Sequence, residues 1–205
     1  MCEVIMKDIF IVFSATPYKT GKFIRFFTKA KFNHVSVSFD RNLFNAYTFA
    51  RRYIDTPFFG GFIKDSPARY FYKNQPADVT VCKTEVDDGV FENMKAVCEK
   101  MYGENEEYLY NFFSATSYVF GRRVFIDKAY TCTEFAAYIL SFADSEINKD
   151  GFYTVDGLFE VFKDRAVYSG PADFIADNGS FGERRGFFKG IADTFGLFFK
   201  LIKRI

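Results

Sequence analysis

Polar and apolar side chains alternate over seven residues, His34-Val35-Ser36-Val37-Ser38-Phe39-Asp40, and this segment is the clearest strand signal in the chain. Successive side chains of a strand point to opposite faces, so this pattern predicts a half-buried strand. Val35 and Val37 would face the core, and His34 would lie on the more polar face. Ser36 and Ser38 share that face, and their small size leaves space beside the imidazole for another group to approach.

Further strands and several helices are predicted on both sides of this strand. Further strands are predicted at residues 8–14, 44–50, 78–86 and 166–169, and a short strand is an option at 124–126. Helices are predicted at residues 20–29, 90–101, 107–120, 131–142 and 155–162, with Asp88 as the N-cap of the second. Residues 58–64, with Gly60-Gly61, indicate a loop or a bulged strand. The pattern favours an α+β fold, an antiparallel sheet packed against helices.

The composition limits the classes of function. The chain has 205 residues, of which 49% are hydrophobic, including 30 Phe and 13 Tyr. This is enough to build the core of one domain, or of one domain with an appendage. The net charge is +1, from 27 basic and 26 acidic side chains. That balance argues against nucleic acid as the main partner, because phosphate binding needs a basic excess.

The cysteines are read as free thiols. The four are Cys2, Cys82, Cys98 and Cys132, none lies in a C-x-x-C pair, and the chain has a single histidine. A structural zinc site is therefore not expected, and no cofactor is predicted. No signal peptide is visible at the N-terminus, which predicts a cytoplasmic location, where disulfides are rare.

The C-terminal part changes in character. Residues 176–186 are rich in Gly and charge, like a linker, so the predicted organisation is a catalytic domain at 1–175, the linker and a basic amphipathic helix at 187–205. Its predicted apolar stripe comprises Phe188, Ile191, Phe195, Phe198, Ile202 and Ile205. The helix could dock on the domain or on a second copy, or it could bind an anionic membrane surface and make the protein peripheral there.

Cys132 is the cysteine best placed for chemistry. Thr131 is a plausible N-cap, which puts Cys132 in the first helical turn, where unpaired N–H groups and the helix dipole stabilise a thiolate. A thiolate paired with an imidazole is the arrangement of cysteine hydrolases, and His34 is the available imidazole. The alternatives are that Cys132 is a small buried hydrophobe and His34 a surface or core-edge histidine without a role.

Three stretches carry a resemblance to a known family. Residues 32–40, 47–51 and 130–135 resemble the permuted branch of the NlpC-type papain-like superfamily, in which the strand with the His precedes the helix with the Cys. The resemblance covers about residues 8–169 and is closest to bacterial proteins of Gram-positive type. It implies a papain-like antiparallel sheet packed against helices.

The resemblance also implies roles for individual residues. Cys132 would be the nucleophile and His34 its base, with a third polar residue that orients the imidazole. The strand after the His strand contains no acid and no second histidine, a departure that leaves Thr48 or Tyr47 to supply this hydrogen bond, Thr48 being favoured, unless an acid from elsewhere substitutes. The backbone N–H of Cys132 would form the oxyanion hole, with Tyr130 as a candidate second donor.

Three functions remain open. The first is a cysteine hydrolase of the peptidase or amidase kind, which cleaves a peptide or amide bond through an acyl-enzyme. The second is a lipid acyltransferase or thioesterase acting on a lipid ester, similar to the lecithin–retinol acyltransferase branch, and the basic tail favours it. The third is a non-catalytic binding module on an enzyme fold.

Overall fold

The structure, a computed structural model, describes residues 5–16, 30–53, 56, 59–65, 67–72, 75–174 and 186–205. The helix predicted at 20–29 lies outside the described residues. So do positions 176–185 of the predicted linker and Cys2.

Ten strands are present in the described residues: β1 Met6–Ala15, β2 His34–Ser38, β3 Ala46–Arg51, β4 Gly60–Asp65, β5 Phe71–Tyr72, β6 Gln75–Pro76, β7 Asp78–Asp87, β8 Leu109–Tyr110, β9 Ala129–Tyr130 and β10 Ala166–Pro171. Eight of them form one sheet in the order β10-β7-β1-β2-β3-β4-β8-β9, and β5 pairs with β6. Neighbours in the sheet are antiparallel except β8 and β9, which are parallel. The coarse prediction of an α+β fold with a large antiparallel sheet is confirmed.

The helices are α1 Asp88–Gly103, α2 Phe112–Ser117, α3 Cys132–Leu140, α4 Val155–Phe162 and α5 Phe187–Ile202. The prediction of Asp88 as the cap of α1 is wrong by one residue. Asp87 is extended, and its carboxylate accepts a hydrogen bond of 2.9 Å from the backbone N–H of Val90. Within the described ranges, no helix combines the length and the apolarity needed to cross a bilayer.

The single helix predicted at 107–120 is also wrong. Its first residues form β8, because the backbone of Leu109 pairs with β4 and β9. Asn111 then starts α2 by accepting a hydrogen bond of 3.0 Å from the N–H of Ser114, and a 3-10 turn ends the segment. At 124–126, Ile126 forms an isolated bridge with Ala129.

The strand with His34 is buried on both faces rather than on one. Val35 and Val37 lie in the main core, between the sheet and α1, α3 and α4. Ser36 and Ser38 are fully buried on the other face, where a second apolar cluster packs. The reason is that β2 is central in the sheet, so its polar face is covered and its hydroxyls bond internally.

The segment around Gly60-Gly61 forms the regular strand β4. A Cβ atom on Gly61 would come within 2.5 Å of the carbonyl oxygen of Tyr108, so glycine permits the close approach of the chain before β8. The glycines therefore reflect packing between strands, and β4 carries Asp65 at its end.

Helix α5 lies against the edge of the sheet. Leu197 and Leu201 are buried in a cluster with Leu109, Ile126 and Ala129. The guanidinium of Arg204 donates to the carbonyl of Glu107 at 2.9 Å and to that of Asp127 at 3.3 Å. The six side chains of the predicted apolar stripe are 39–86% exposed. Of these, Phe198 contacts the body, with its ring centroid 5.2 Å from that of Phe113. The division into a body, a linker and a separate helix stays a prediction.

Candidate catalytic site

His34 is the first residue of β2, directly opposite Ser14 of β1. Among the described residues, two buried polar side-chain atoms have no partner at hydrogen-bond distance, Nε2 of His34 and Oγ of Ser14. Buried polar groups are normally satisfied, and exceptions concentrate where structure serves function. The two exceptions occupy facing positions on adjacent strands, which marks this end of β2 as a candidate site.

Cys132 is the first residue of α3, as predicted, and Thr131 is its N-cap. The Thr131 hydroxyl accepts from the N–H of Glu134 at 3.2 Å, and the Glu134 carboxylate accepts from the N–H of Thr131 at 2.7 Å. This reciprocal capping box fixes the first turn of the helix. The N–H of the first helical residue has no partner within the helix, so that of Cys132 is free to donate to a substrate.

Charged residues hold this helix start from behind. Glu134 is buried, and its carboxylate lies 3.2 Å from Nε of Arg123. Nη1 of Arg123 also lies 3.2 Å from the carboxylate of Asp150. A buried carboxylate is costly unless it is paired and hydrogen-bonded, and both conditions are met here. The interactions fix the backbone that carries Cys132.

A tyrosine hydroxyl adds further support to the same turn. The Tyr118 hydroxyl lies 3.0 Å from the hydroxyl oxygen of Thr131 and 2.6 Å from that of Thr133. Burial raises the pKa of Tyr118, and the charge of Glu134 raises it further. The phenol is therefore a neutral hydrogen-bonding group across the usual pH range.

Asp65, the last residue of β4, provides the acid of the site. Its side chain is 1% exposed, and Oδ2 lies 3.7 Å from Nε2 of His34. Oδ1 lies 3.1 Å from Nε of Arg69, and the Tyr70 hydroxyl donates to Oδ2 at 3.3 Å. Burial by itself would raise the pKa of Asp65, but the contacts with His34, Arg69 and Tyr70 outweigh it and lower that pKa.

The network around Asp65 reaches back to β2. The hydroxyls of Ser36 and Tyr70 lie 3.0 Å apart. The small side chain of Ser36 thus leaves room for a neighbouring group, as the sequence indicated, and that group is Tyr70. Its hydroxyl links the strand of His34 to the carboxylate of Asp65, so the acid is held at a defined position beside the imidazole.

The pKa of His34 reflects both neighbours. Burial by itself would lower it, but the contacts with Asp65 and with Cys132 outweigh burial and raise the pKa from 6.5 to about 9. Asp65 faces Nε2. The contribution of Cys132 to the raised pKa places its thiol near the imidazole ring. His34 is thus the described residue on which the effects of a buried carboxylate and of Cys132 meet.

The residues favoured for orienting the imidazole make other described contacts. The Thr48 hydroxyl donates to the backbone carbonyl of Val35 at 2.7 Å. Tyr47 stacks on Phe62, with ring centroids 5.9 Å apart, within the main core. Burial and nearby charges raise the pKa of Tyr47 to about 12. Their described contacts are structural, and Asp65 is the described acid beside His34.

The other predicted donor, Tyr130, packs its ring against Phe49 and Tyr138, with centroids 5.3 and 6.0 Å away. A different tyrosine is electrostatically linked to Cys132. Burial, and then the charge of Cys132, raises the pKa of Tyr110 well above its usual value. The hydroxyl of Tyr110 therefore stays protonated, which makes it a candidate donor that the sequence did not single out.

The other described cysteines are poorer nucleophiles. Burial raises the pKa of Cys82 to about 11, and it raises that of Cys98 further. Within the part of the chain that the structure describes, no group of three or more His, Cys, Asp or Glu side chains could hold a metal ion. Cys132 is the described cysteine that has an imidazole beside it.

Sequence reasoning missed Asp65 for a specific reason. The segment before it was interpreted as a loop or bulged strand, and the orienting residue was sought on β3. One local signal was present: Arg69 follows Asp65 by four positions and pairs with it. Comparison of the chain with protein-family models, curated proteins and solved structures found no match in any of the three.

Proposed function

We propose that this protein is a cysteine-dependent acyl-transfer enzyme, a hydrolase of the peptidase or amidase kind, with Cys132 as nucleophile, His34 as base and Asp65 as the residue that orients the imidazole. The observation that carries the proposal is the buried carboxylate of Asp65, 3.7 Å from Nε2 of the single histidine. Cys132 at the capped start of α3 and the raised pKa of His34 support it. The resemblance of residues 32–40 and 130–135 to permuted papain-like enzymes supports the same assignment.

The chemistry follows from the positions of the groups. Nδ1 of His34 takes the proton from the thiol of Cys132, which gives a thiolate beside an imidazolium. Asp65 stabilises the imidazolium from the side of Nε2, and the helix N-terminus stabilises the thiolate. This division of roles is the one that nucleophile, base and orienting group take in hydrolases with covalent intermediates.

The thiolate then attacks the carbonyl carbon of an amide or ester. The negative charge moves to the carbonyl oxygen, where the N–H of Cys132 donates and Tyr110 is the candidate second donor. The imidazolium of His34 gives its proton to the leaving amine or alcohol as the carbon–heteroatom bond breaks. Water, deprotonated by the imidazole, attacks the resulting thioester, and the acid and the free thiol are released.

A lipid acyltransferase or thioesterase is a second candidate, and a specific observation favours it. Helix α5 exposes several Phe and Ile side chains, a surface suited to lipid. In that case a lipid ester would acylate Cys132, and an amine or alcohol would resolve the thioester in a transfer reaction. Activity on peptide amides compared with lipid esters separates the two candidates.

Alkylation tests the nucleophile without a known substrate. Native protein is treated with limiting iodoacetamide near pH 7, and the label at each cysteine is measured by peptide mapping. We expect Cys132 to react faster than the other three cysteines, and His34→Ala to remove most of that advantage, because the imidazole stabilises the thiolate. If Cys132 reacts no faster than Cys82 in folded protein, the proposal fails and a non-catalytic binding module remains.

Acyl-enzyme trapping tests the reaction itself. An activated ester such as p-nitrophenyl acetate should acylate Cys132, and the acyl group should appear in the mass of the peptide that contains it. Cys132→Ala should abolish turnover while leaving the fold intact, because removing a sulfur at a helix start leaves little cavity. Turnover that survives in folded Cys132→Ala would place the nucleophile elsewhere.

A further inference from the structure

The outer face of α5 exposes large apolar side chains. Phe188 is 86% exposed, Phe195 and Phe199 are both 63% exposed, and Ile202 is 54% exposed. Contiguous exposed apolar side chains are unusual on a soluble domain and mark sites of interaction. These four residues are called the outer apolar stripe below.

Three residues of the stripe, Phe195, Phe199 and Ile202, lie on the helix face opposite the one that docks. Each residue of a helix turns about 100° from the last, so Leu197 and Leu201 point away from Phe195 and Phe199. The leucines are buried on the body of the protein, at 2% and 0% exposure. Helix α5 therefore has two apolar faces, and docking satisfies one of them.

Lysines border the outer apolar stripe on one side. Lys189, Lys200 and Lys203 are exposed, and the helical repeat places them together, next to Phe199. Arg204 is not part of this row, because its guanidinium donates to backbone carbonyls of the body. The half-buried Asp193 also lies beside these lysines. The exposed half of α5 thus has an apolar strip next to a strip with a net positive charge.

We propose that the outer face of α5 binds an anionic membrane surface, with the outer apolar stripe among the acyl chains and Lys189, Lys200 and Lys203 on the lipid phosphates or carboxylates. Apolar side chains beside a row of cations on one helix suit the interface between head groups and hydrocarbon. The helix would lie in the plane of the interface while its leucines hold it to the body.

Charge favours lipid over a second copy of the chain. In a symmetric dimer through this face with the two copies of α5 antiparallel, the lysine row of each subunit would lie beside that of the other. Like charges brought together oppose such a contact, whereas anionic head groups neutralise all three lysines. The inference stands apart from the catalytic proposal, because it uses no residue of the Cys132 site.

Vesicle flotation of the full chain tests the proposal. Vesicles of phosphatidylcholine alone are compared with vesicles that also contain phosphatidylserine. We expect binding to the anionic vesicles. The double variant Phe195→Ser/Phe199→Ser should lose at least tenfold in affinity for them, because it removes two rings that would be buried in the lipid. Phe44→Ser is the matched control, since Phe44 is 48% exposed in the turn between β2 and β3. It should bind like the unchanged protein.

A charge variant separates the two parts of the face. Lys189→Gln/Lys200→Gln/Lys203→Gln should lose about tenfold or more in affinity for the anionic vesicles and should become insensitive to salt. Each variant is checked by circular dichroism for an unchanged melting temperature. Leu201→Asp, on the docking face, should instead lower that temperature.

A fluorescence reporter gives an independent test without deleting the stripe. The chain contains no Trp, so Phe195→Trp adds a unique probe. With anionic vesicles, its emission should shift to the blue and be quenched by brominated acyl chains, whereas Phe44→Trp should show neither change. Failure of the unchanged protein to float, or equal binding to both vesicle types, would overturn the proposal. A concentration-dependent dimer that the stripe variant abolishes, without vesicle binding, would assign the face to a second copy.

Discussion

Nε2 of His34 lies 3.7 Å from Oδ2 of Asp65, although their strands, β2 and β4, are not neighbours in the sheet. The strand between them is β3, and Asp65 pairs there with Ala46. Thr48 lies on the same face of β3 as Ala46, and both are small. The two longer side chains therefore have room to meet over the intervening strand.

The single histidine allows a direct test of this relationship. An NMR titration of the His34 ring should give a pKa near 9, because the contacts with Asp65 and Cys132 outweigh burial. Asp65→Asn should lower that pKa, because the carboxylate that counteracts the pKa-lowering effect of burial is removed. Cys132→Ala should lower it for the same reason. A pKa near 6.5 in the unchanged protein, with no response to either variant, would contradict the arrangement.

The raised pKa of His34 also predicts how stability depends on pH. A group that binds its proton more tightly when folded stabilises the protein fully below its unfolded pKa, here 6.5, and loses that contribution as the pH rises through about 9. Denaturant unfolding of the parent and of His34→Gln should therefore give curves that converge between these pH values. A constant difference in unfolding free energy from pH 6 to pH 9 would show that the linkage is absent.

Thr48→Val distinguishes a structural hydroxyl from one that orients the imidazole. The variant removes the buried hydrogen bond to the Val35 carbonyl and should cost on the order of 1 to 2 kcal/mol of unfolding free energy. The pKa of His34 should not change. If it falls as far as in Asp65→Asn, the orienting role belongs to Thr48 after all.

Glu134→Gln tests the support behind Cys132. The change leaves Arg123 without its buried partner and weakens the capping box, so we expect a loss on the order of 3 kcal/mol, measured by denaturant unfolding. Iodoacetamide should also react more slowly with Cys132, because the helix start is less firmly held.

Glu160→Gln is the control for that variant. Its carboxylate pairs with Lys163 on the surface, where a salt bridge contributes less than about 1 kcal/mol. Equal losses of stability in the two variants would show that the buried pair does not support the helix start.

Local features of the fold could be predicted from the sequence. Alternation placed a strand at His34–Ser38, and the capping residues Thr131 and Glu134 started a helix at Cys132. These signals are local, because strand periodicity and helix caps depend on residues a few positions apart. They singled out Cys132 and His34, and the family resemblance joined the two as a candidate pair.

The tertiary structure decided what depends on distant parts of the chain. Asp65 comes beside His34 through the order of β2, β3 and β4, which no local pattern encodes. Helix α5 carries two apolar faces, and periodicity alone identified one stripe and left open whether it docks on the body or binds elsewhere. Which face of α5 becomes buried depends on the surface that the helix packs against, here the cluster around Leu109 and Ile126. Leu197 and Leu201 contact this cluster and are therefore buried.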